Sequence, residues 1–149
     1  MPIPTTGLSN TSHLETAFGP EEFFGVWAVQ RTILDRMNVV KVELAGTAVI
    51  SRYHFEEDGE TFSGGMLLAS RRKYALSFTY HGVDVAFHDL RAFVFISRMP
   101  SQKLDHRCGD DDYSGRLLFP NPESLIEVWR VRGPRKNYTS FSRYQRIKG

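Results

Sequence analysis

The sequence of 149 residues contains a single cysteine, Cys108, and no apolar run longer than five residues, 92–96. One cysteine cannot close an internal disulfide or build a zinc module of the CxxC kind. Five apolar residues fall far short of the ~20 that a membrane-spanning helix needs, so no transmembrane segment is expected. Charge of one sign is scarce as well: 19 basic against 17 acidic residues leave a net charge of +2, too little by itself to point to nucleic acid. Residues 1–12 are polar, with neither a basic stretch nor an apolar core. They predict no secretory signal, and a cytoplasmic address follows as the expectation. An internal repeat is also missing, which excludes propellers and solenoids. What is present is the make-up of a globule, 41% apolar, 24% charged and 13% aromatic, of the size of one domain.

Residues 1–19 are rich in Pro, Thr, Ser, Asn and Gly and read as a loose tail, with residues 20–149 as the domain. Ser12 three residues ahead of Glu15 fits a capping box, and Gly19-Pro20 would stop that turn. Pro20-Glu21-Glu22 fits the first turn of a second short helix. Beyond Gly25 no helical period is sustained, and Val, Ile, Phe, Tyr and Thr alternate with polar residues between turn signals. The spacing predicts ten strands, over residues 26–34, 40–55, 61–69, 73–80, 83–88, 92–97, 104–108, 113–119, 125–132 and 137–146. Turns are expected at 57–59, 81–82, 99–101, 109–112, 120–122 and 133–134, where Gly, Pro, Asn and Asp gather. Alternating strands without crossover helices pair antiparallel, so the fold class is all-β, a barrel or a sandwich.

Gly25-Val26-Trp27, at the mouth of the first strand, resembles the G-x-W of lipocalins and related calycins. There the Trp closes the narrow end of the barrel beneath a basic side chain from the last strand, a cation–π contact. Arg143 and Arg146 stand on that strand, and parity favours Arg146, which shares a face with Tyr138, Ser140, Ser142 and Tyr144. The second half carries His106-x-Cys108-Gly109-x-Asp111-x-Tyr113-x-Gly115, then 129–138 (WRVRGPRKNY), then Ser142-x-Tyr144-x-Arg146. Together with Phe24-Gly25-x-Trp27 and 45–48 (AGTA), this pattern resembles an uncharacterised lipocalin-like family, one of the domains of unknown function. The resemblance runs from about Glu22 to Arg146. It implies a lipocalin-like up-and-down barrel and brings no established activity with it. Asp110 and Asp112 depart from the pattern, and their acid makes an anionic ligand at that turn less comfortable.

In such a barrel every second turn lies at the open end. The turns expected there are 35–38, 70–72, 88–91, 109–112 and 133–136. His88, Asp89, Asp111, Arg135 and Lys136 would ring the mouth, with His106 and Tyr113 facing each other just inside. The aromatic face of Tyr74, Leu76, Phe78 and Tyr80 serves equally as core or as ligand wall. The expected ligand-binding set is Tyr74, Phe78, His88, Arg130, Arg135, Lys136, Tyr138 and Tyr144, with Trp27 and Arg146 closing the barrel. His106, Asp111 and Tyr113 supply an imidazole, a carboxylate to orient it and a phenol, the parts of a proton-transfer site. The plainer alternative makes Asp111 a turn cap and His106 and Tyr113 a cross-strand pair.

Cys108 shares a strand face with His106, but the three aspartates after it would raise its pKa, so a buried, inert thiol is expected. His106 and Cys108 have no further ligand at helpful spacing, and no metal is expected. Some calycins bind haem through one histidine, yet nothing singles out His54, His81, His88 or His106, so no cofactor is expected. The basic clusters 71–73 and 130–136 have acids nearby and suit a solvated rim or a clamp for a small acid better than nucleic acid or a membrane. Three functions stay open: a barrel that binds a small, mostly apolar, aromatic or carboxylated molecule; a cofactor-independent isomerase, cyclase or dehydratase using His106, Asp111 and Tyr113; and a protein-interaction module. The oligomeric state is left open.

Overall fold

A computed structural model of the chain describes residues 20–148. Alternation with frequent turn residues leaves little choice but short antiparallel ribbons. After one helical turn, α1 (Pro20–Phe23), come β1 (Gly25–Asp35), β2 (Val40–Ile50), β3 (His54–Ser63), β4 (Met66–Thr79) and β5 (Gly82–Phe87). The chain continues through β6 (Ala92–Ser97), β7 (Ser101–Cys108), β8 (Asp111–Asn121), β9 (Ser124–Arg132) and β10 (Asn137–Lys148). Of the helical approach expected ahead of the first strand, only α1 is present among the described residues; the expected turn at 12–19 lies outside them.

The ladder runs β6-β5-β4-β3-β2-β1-β10-β9-β8-β7, so each strand pairs with its sequence neighbours and β1 closes onto β10, with Val29 opposite Tyr144. One break remains, between β6 and β7, which pack together without pairing. The result is an all-β, nearly closed barrel of ten antiparallel strands. Across the break a side chain does the work of a ladder: Gln102 Oε1 accepts the Ser97 N–H at 2.8 Å, and its Nε2 donates to Ser97 O at 3.0 Å and Met99 O at 2.9 Å.

Two expected turns are not turns. Residues 57–59 lie inside β3 and residues 70–72 inside β4. The acidic run of β3 stands in register with the basic run of β4, Glu56 opposite Lys73, Glu57 opposite Arg72 and Asp58 opposite Arg71. What reads in sequence as solvated punctuation is a cross-strand charge ladder, with Arg71 2.6 Å from Asp58 and Lys73 3.3 Å from Glu56. Gly59 serves close approach: it faces Gly46 on β2, and a Cβ on it would lie 2.7 Å from Ala45 O. The real connections are residues 51–53 between β2 and β3 and the Gly64-Gly65 turn between β3 and β4, both glycines at positive φ.

The connections 36–39, 64–65, 88–91, 109–110 and 133–136 therefore gather at one end of the barrel. At the other end Trp27 is 2% exposed and its Nε1 donates to Phe23 O at 3.1 Å. The Arg146 guanidinium lies 4.3 Å from the Trp27 ring centroid and donates to the carbonyls of Phe24, at 2.6 Å, and Glu22. Phe23 meets Phe119 edge-on at 5.1 Å, and Phe24 meets Phe78 at 5.2 Å. This end is thus packed with aromatic rings.

Higher in the barrel Trp129 points inward from β9 over Gly115 of β8, its register partner. A Cβ at Gly115 would sit 2.7 Å from the indole, so Gly115→Ala is expected to cost about 1–3 kcal/mol through overpacking. Urea denaturation followed by tryptophan fluorescence measures it.

Candidate functional site

Period-2 alternation from Trp27 carries Val29, Arg31 and Ile33 of β1 to the interior, and the same rule carries Ser140, Ser142 and Tyr144 of β10. A charge is thereby placed inside the barrel. Arg31, 7% exposed, is answered by Glu57 of β3, 2% exposed. The pair is bidentate, Nη1 to Oε2 at 2.7 Å and Nη2 to Oε1 at 2.9 Å. The remaining Arg31 donors reach Ser142 Oγ at 2.6 Å and the Tyr144 hydroxyl at 2.9 Å. Arg72 enters from β4 and donates to the Tyr144 hydroxyl at 2.8 Å and the Tyr74 hydroxyl at 3.3 Å. It lies 3.3 Å from Glu57 and 3.5 Å from Glu127 of β9, over the rings of Phe55 and Tyr74.

Burial alone would push the Glu57 carboxyl up, but the Arg31 hydrogen bonds, with Arg72 nearby, outweigh it and hold the group below its ordinary value. Burial pushes the Tyr144 phenol well above the usual range against the pull of Arg72, so Tyr144 stays protonated and donates to Glu57 Oε1 at 3.2 Å. Because Glu57 titrates lower folded than unfolded, its stabilisation is present above the ordinary carboxylate range. It is lost as pH falls from there through the lowered folded value. The thermal midpoint is therefore expected to drop as pH falls below about 5, and Glu57→Gln to flatten that slope in a circular-dichroism melting series.

The network divides the lumen. Toward the closed end lies an apolar cavity of about 80 Å³, with Phe55, Leu76, Phe78, Val85, Leu104 and Leu117 in its walls. Toward the mouth lies a chamber of about 180 Å³, walled by Ile33, Phe93, Tyr113, Tyr138, Ser140 and Val131. Arg72, Tyr74, Phe93, Glu127 and Trp129 border both. Phe93 of β6 stacks on Tyr74 at 5.5 Å and on Trp129 at 5.5 Å. A wider concavity of about 880 Å³ lies on the outer wall, among Gln30, Thr32, Glu43, Phe62 and Phe141. It has no buried polar network of its own beyond the Arg31 and Ser142 that it borders, so the lumen is the candidate site.

Of the residues picked out in sequence, Tyr74, Tyr138 and Tyr144 line the lumen and Phe78 its closed end. His106 and Tyr113 stand side by side near the mouth, centroids 5.7 Å apart, and His106 also packs on Phe93 at 5.0 Å and Phe87 at 5.7 Å. Asp111 turns to Lys136, 3.3 Å away, rather than to His106, and its carboxyl fills the space over Gly133. Lys136 donates to the Tyr113 hydroxyl at 2.9 Å. That hydrogen bond, with Asp111 adding to it against partial burial, holds Lys136 above the ordinary lysine range. His88 and Arg135 are exposed on turns.

Arg130 faces outward, since the inward positions of β9 are odd, and it bonds Val131 O, Tyr138 O and Asn137 Oδ1. Cys108 ends β7 and is exposed, not buried. Tyr80, beyond the end of β4, is exposed too. Among the described residues no three His, Cys, Asp or Glu side chains converge as a metal cluster, and no helix is long and apolar enough to cross a membrane.

Arg31, Glu57 and Glu127 were missed in the sequence, and Arg72 was picked out only as part of the basic cluster 71–73. The signal for Arg31 was available, because it stands four residues beyond Trp27 on the same strand face.

These features define a class: a nearly closed antiparallel β-barrel with a charged layer across its lumen. Residues 23–146 match the Family of unknown function (DUF6314), and the chain belongs to that family. No curated protein matches the chain in sequence. Among solved structures, the fold is similar to that of the S-type phycobiliprotein lyase CPES from Guillardia theta. The TM-score is 0.57 at 12% identity, covering 87% of this chain and 90% of that one. It is also similar to a protein of unknown function of the DUF3598 family from Nostoc punctiforme PCC 73102. There the TM-score is 0.58 at 10% identity, covering 88% of this chain and half of that one, 50%. At such identities the likeness is one of fold.

Proposed function

We propose that the barrel binds a small, mostly apolar or aromatic molecule in the chamber below its mouth. The observation that carries this reading is the chamber itself, about 180 Å³ walled by Phe93, Tyr113, Trp129 and Tyr138 and bordered by Arg31, Arg72 and Glu127. Aromatic walls with a few convergent polar groups are the usual make-up of a ligand site. Its volume lies below the ~300–1,000 Å³ of common pockets, which favours a ligand of one or two rings. The architecture, with Trp27 under Arg146 at the closed end, fits a lipocalin-like barrel. The free, exposed Cys108 suits a cytoplasmic setting. Native mass spectrometry of freshly purified protein tests the reading: a discrete small-molecule adduct that disappears on denaturation supports it, and a bare polypeptide mass speaks against it.

A second reading has its own support. Tyr113 accepts a hydrogen bond from Lys136 at 2.9 Å and lies beside His106, which supports reading the two as the acid–base groups that an isomerase, cyclase or dehydratase requires. In a passive binder His106→Ala and Tyr113→Phe are expected to weaken binding by about 1–3 kcal/mol. In an enzyme they leave binding nearly intact while turnover falls about 100-fold or more. Measuring affinity and turnover on both variants separates the two.

A further inference from the structure

We infer that Glu127 selects the ligand by accepting an N–H or O–H donor carried on a planar ring, so that the barrel favours donor-bearing aromatic molecules over carboxylates. The inference rests on the lumen-binding reading above. Two interior arginines invite an anion, but Glu57 already faces both of them. Arg31 gives its donors to Glu57, Ser142 and Tyr144. Arg72 uses its terminal nitrogens on Tyr74 and Tyr144, and its Nε, without a hydrogen bond among the described residues, lies 3.3 Å from Glu57 as an ion pair. An incoming carboxylate would have to compete with a carboxylate that is already bidentate.

Glu127 is different. Among the described residues its Oε1 is buried 3.5 Å from Arg72 Nη2 without a hydrogen bond, so the carboxylate is held there by one long ion pair alone. A buried carboxylate with one long ion pair and no hydrogen bond carries a desolvation cost that a donor on a ligand would offset. Its place suits that role, because Glu127 borders both lumen cavities. Trp129 projects from the same face of β9, two residues on. A flat ring in the chamber beside Trp129 thus brings an edge substituent toward the Glu127 carboxylate.

Indole and indene share one ring outline and differ in a single N–H. Isothermal titration of the full chain with indole, indene and benzoate is expected to rank indole tighter than indene by about tenfold or more, the worth of one hydrogen bond to a charged group, with benzoate weaker than indole. In Glu127→Met the two bicyclic probes are expected to bind within about twofold of each other. In Glu127→Gln, which keeps a carbonyl acceptor, the preference is expected to fall in between, and it provides the comparison if the Met variant does not fold. Equal binding of indole and indene by the wild type, tightest binding of benzoate, or an indole preference that survives in Glu127→Met each overturns the role of Glu127 while leaving lumen binding standing. Failure of all three probes to bind the wild type overturns both.

Discussion

Glu57→Ala is expected to lower the free energy of unfolding by about 3–5 kcal/mol, because it leaves the Arg31 guanidinium buried without its counter-ion. The size of the effect follows from geometry. Arg31 is bidentate on Glu57 at 2.7 and 2.9 Å, and both residues are almost fully buried. Replacing both partners, Arg31→Met with Glu57→Met, is expected to recover most of the loss, since removing a buried pair together costs far less than orphaning one half. Urea denaturation of the two single variants and the double variant reads this directly. A double variant no more stable than Glu57→Ala would mean that the pair acts through the wider network of Arg72 and Tyr144 rather than as a unit.

Trp27→Ala is expected to cost about 3–5 kcal/mol as well, by a different route. Its ring fills the closed end, is 2% exposed, and carries the Arg146 guanidinium 4.3 Å from its centroid. Truncation removes packing against the aromatic end and takes away the surface on which Arg146 rests. Trp27→Phe keeps most of the volume and is expected to lose markedly less, so the pair of variants separates cavity formation from loss of the indole N–H bond to Phe23 O. Chemical denaturation reads both; a loss below about 1 kcal/mol for Trp27→Ala would contradict the packing described for this end.

Much of the barrel was legible because period-2 alternation and turn chemistry are local signals. The strands from β5 to β10 lie close to where the sequence places them, bounded by 81–82, 99–101, 109–112 and 133–134. The charged stretch between β2 and β4 was not legible locally. Residues 57–59 and 70–72 read as two turns, and only the pairing of 56–58 with 71–73 across a hairpin reveals a ladder. The Gly64-Gly65 turn that sets this register was hidden by the apolar residues around it, Phe62 and Met66 to Leu68. The site divides the same way. Aromatic wall residues such as Tyr74 and Tyr138 follow from face parity. By contrast, buried charges contradict the rule that charge stays outside: face parity with Trp27 places Arg31 inside, but Glu57 becomes intelligible only as its partner 26 residues away. Asp111 shows the opposite limit: its spacing from His106 suggested a pair, but a salt bridge to Lys136 across the next hairpin takes it.

The most direct test is a titration of ¹⁵N-labelled protein with indole, following the two tryptophan side-chain N–H resonances. Trp129 walls the upper chamber, whereas Trp27 is sealed at the closed end with its N–H bonded to Phe23 O at 3.1 Å. Lumen binding is expected to move the Trp129 resonance in a saturable way while the Trp27 resonance stays in place. Saturable shifts confined to outer-wall residues such as Gln30 and Thr32, or no saturable shift at all, would contradict a ligand site inside the barrel.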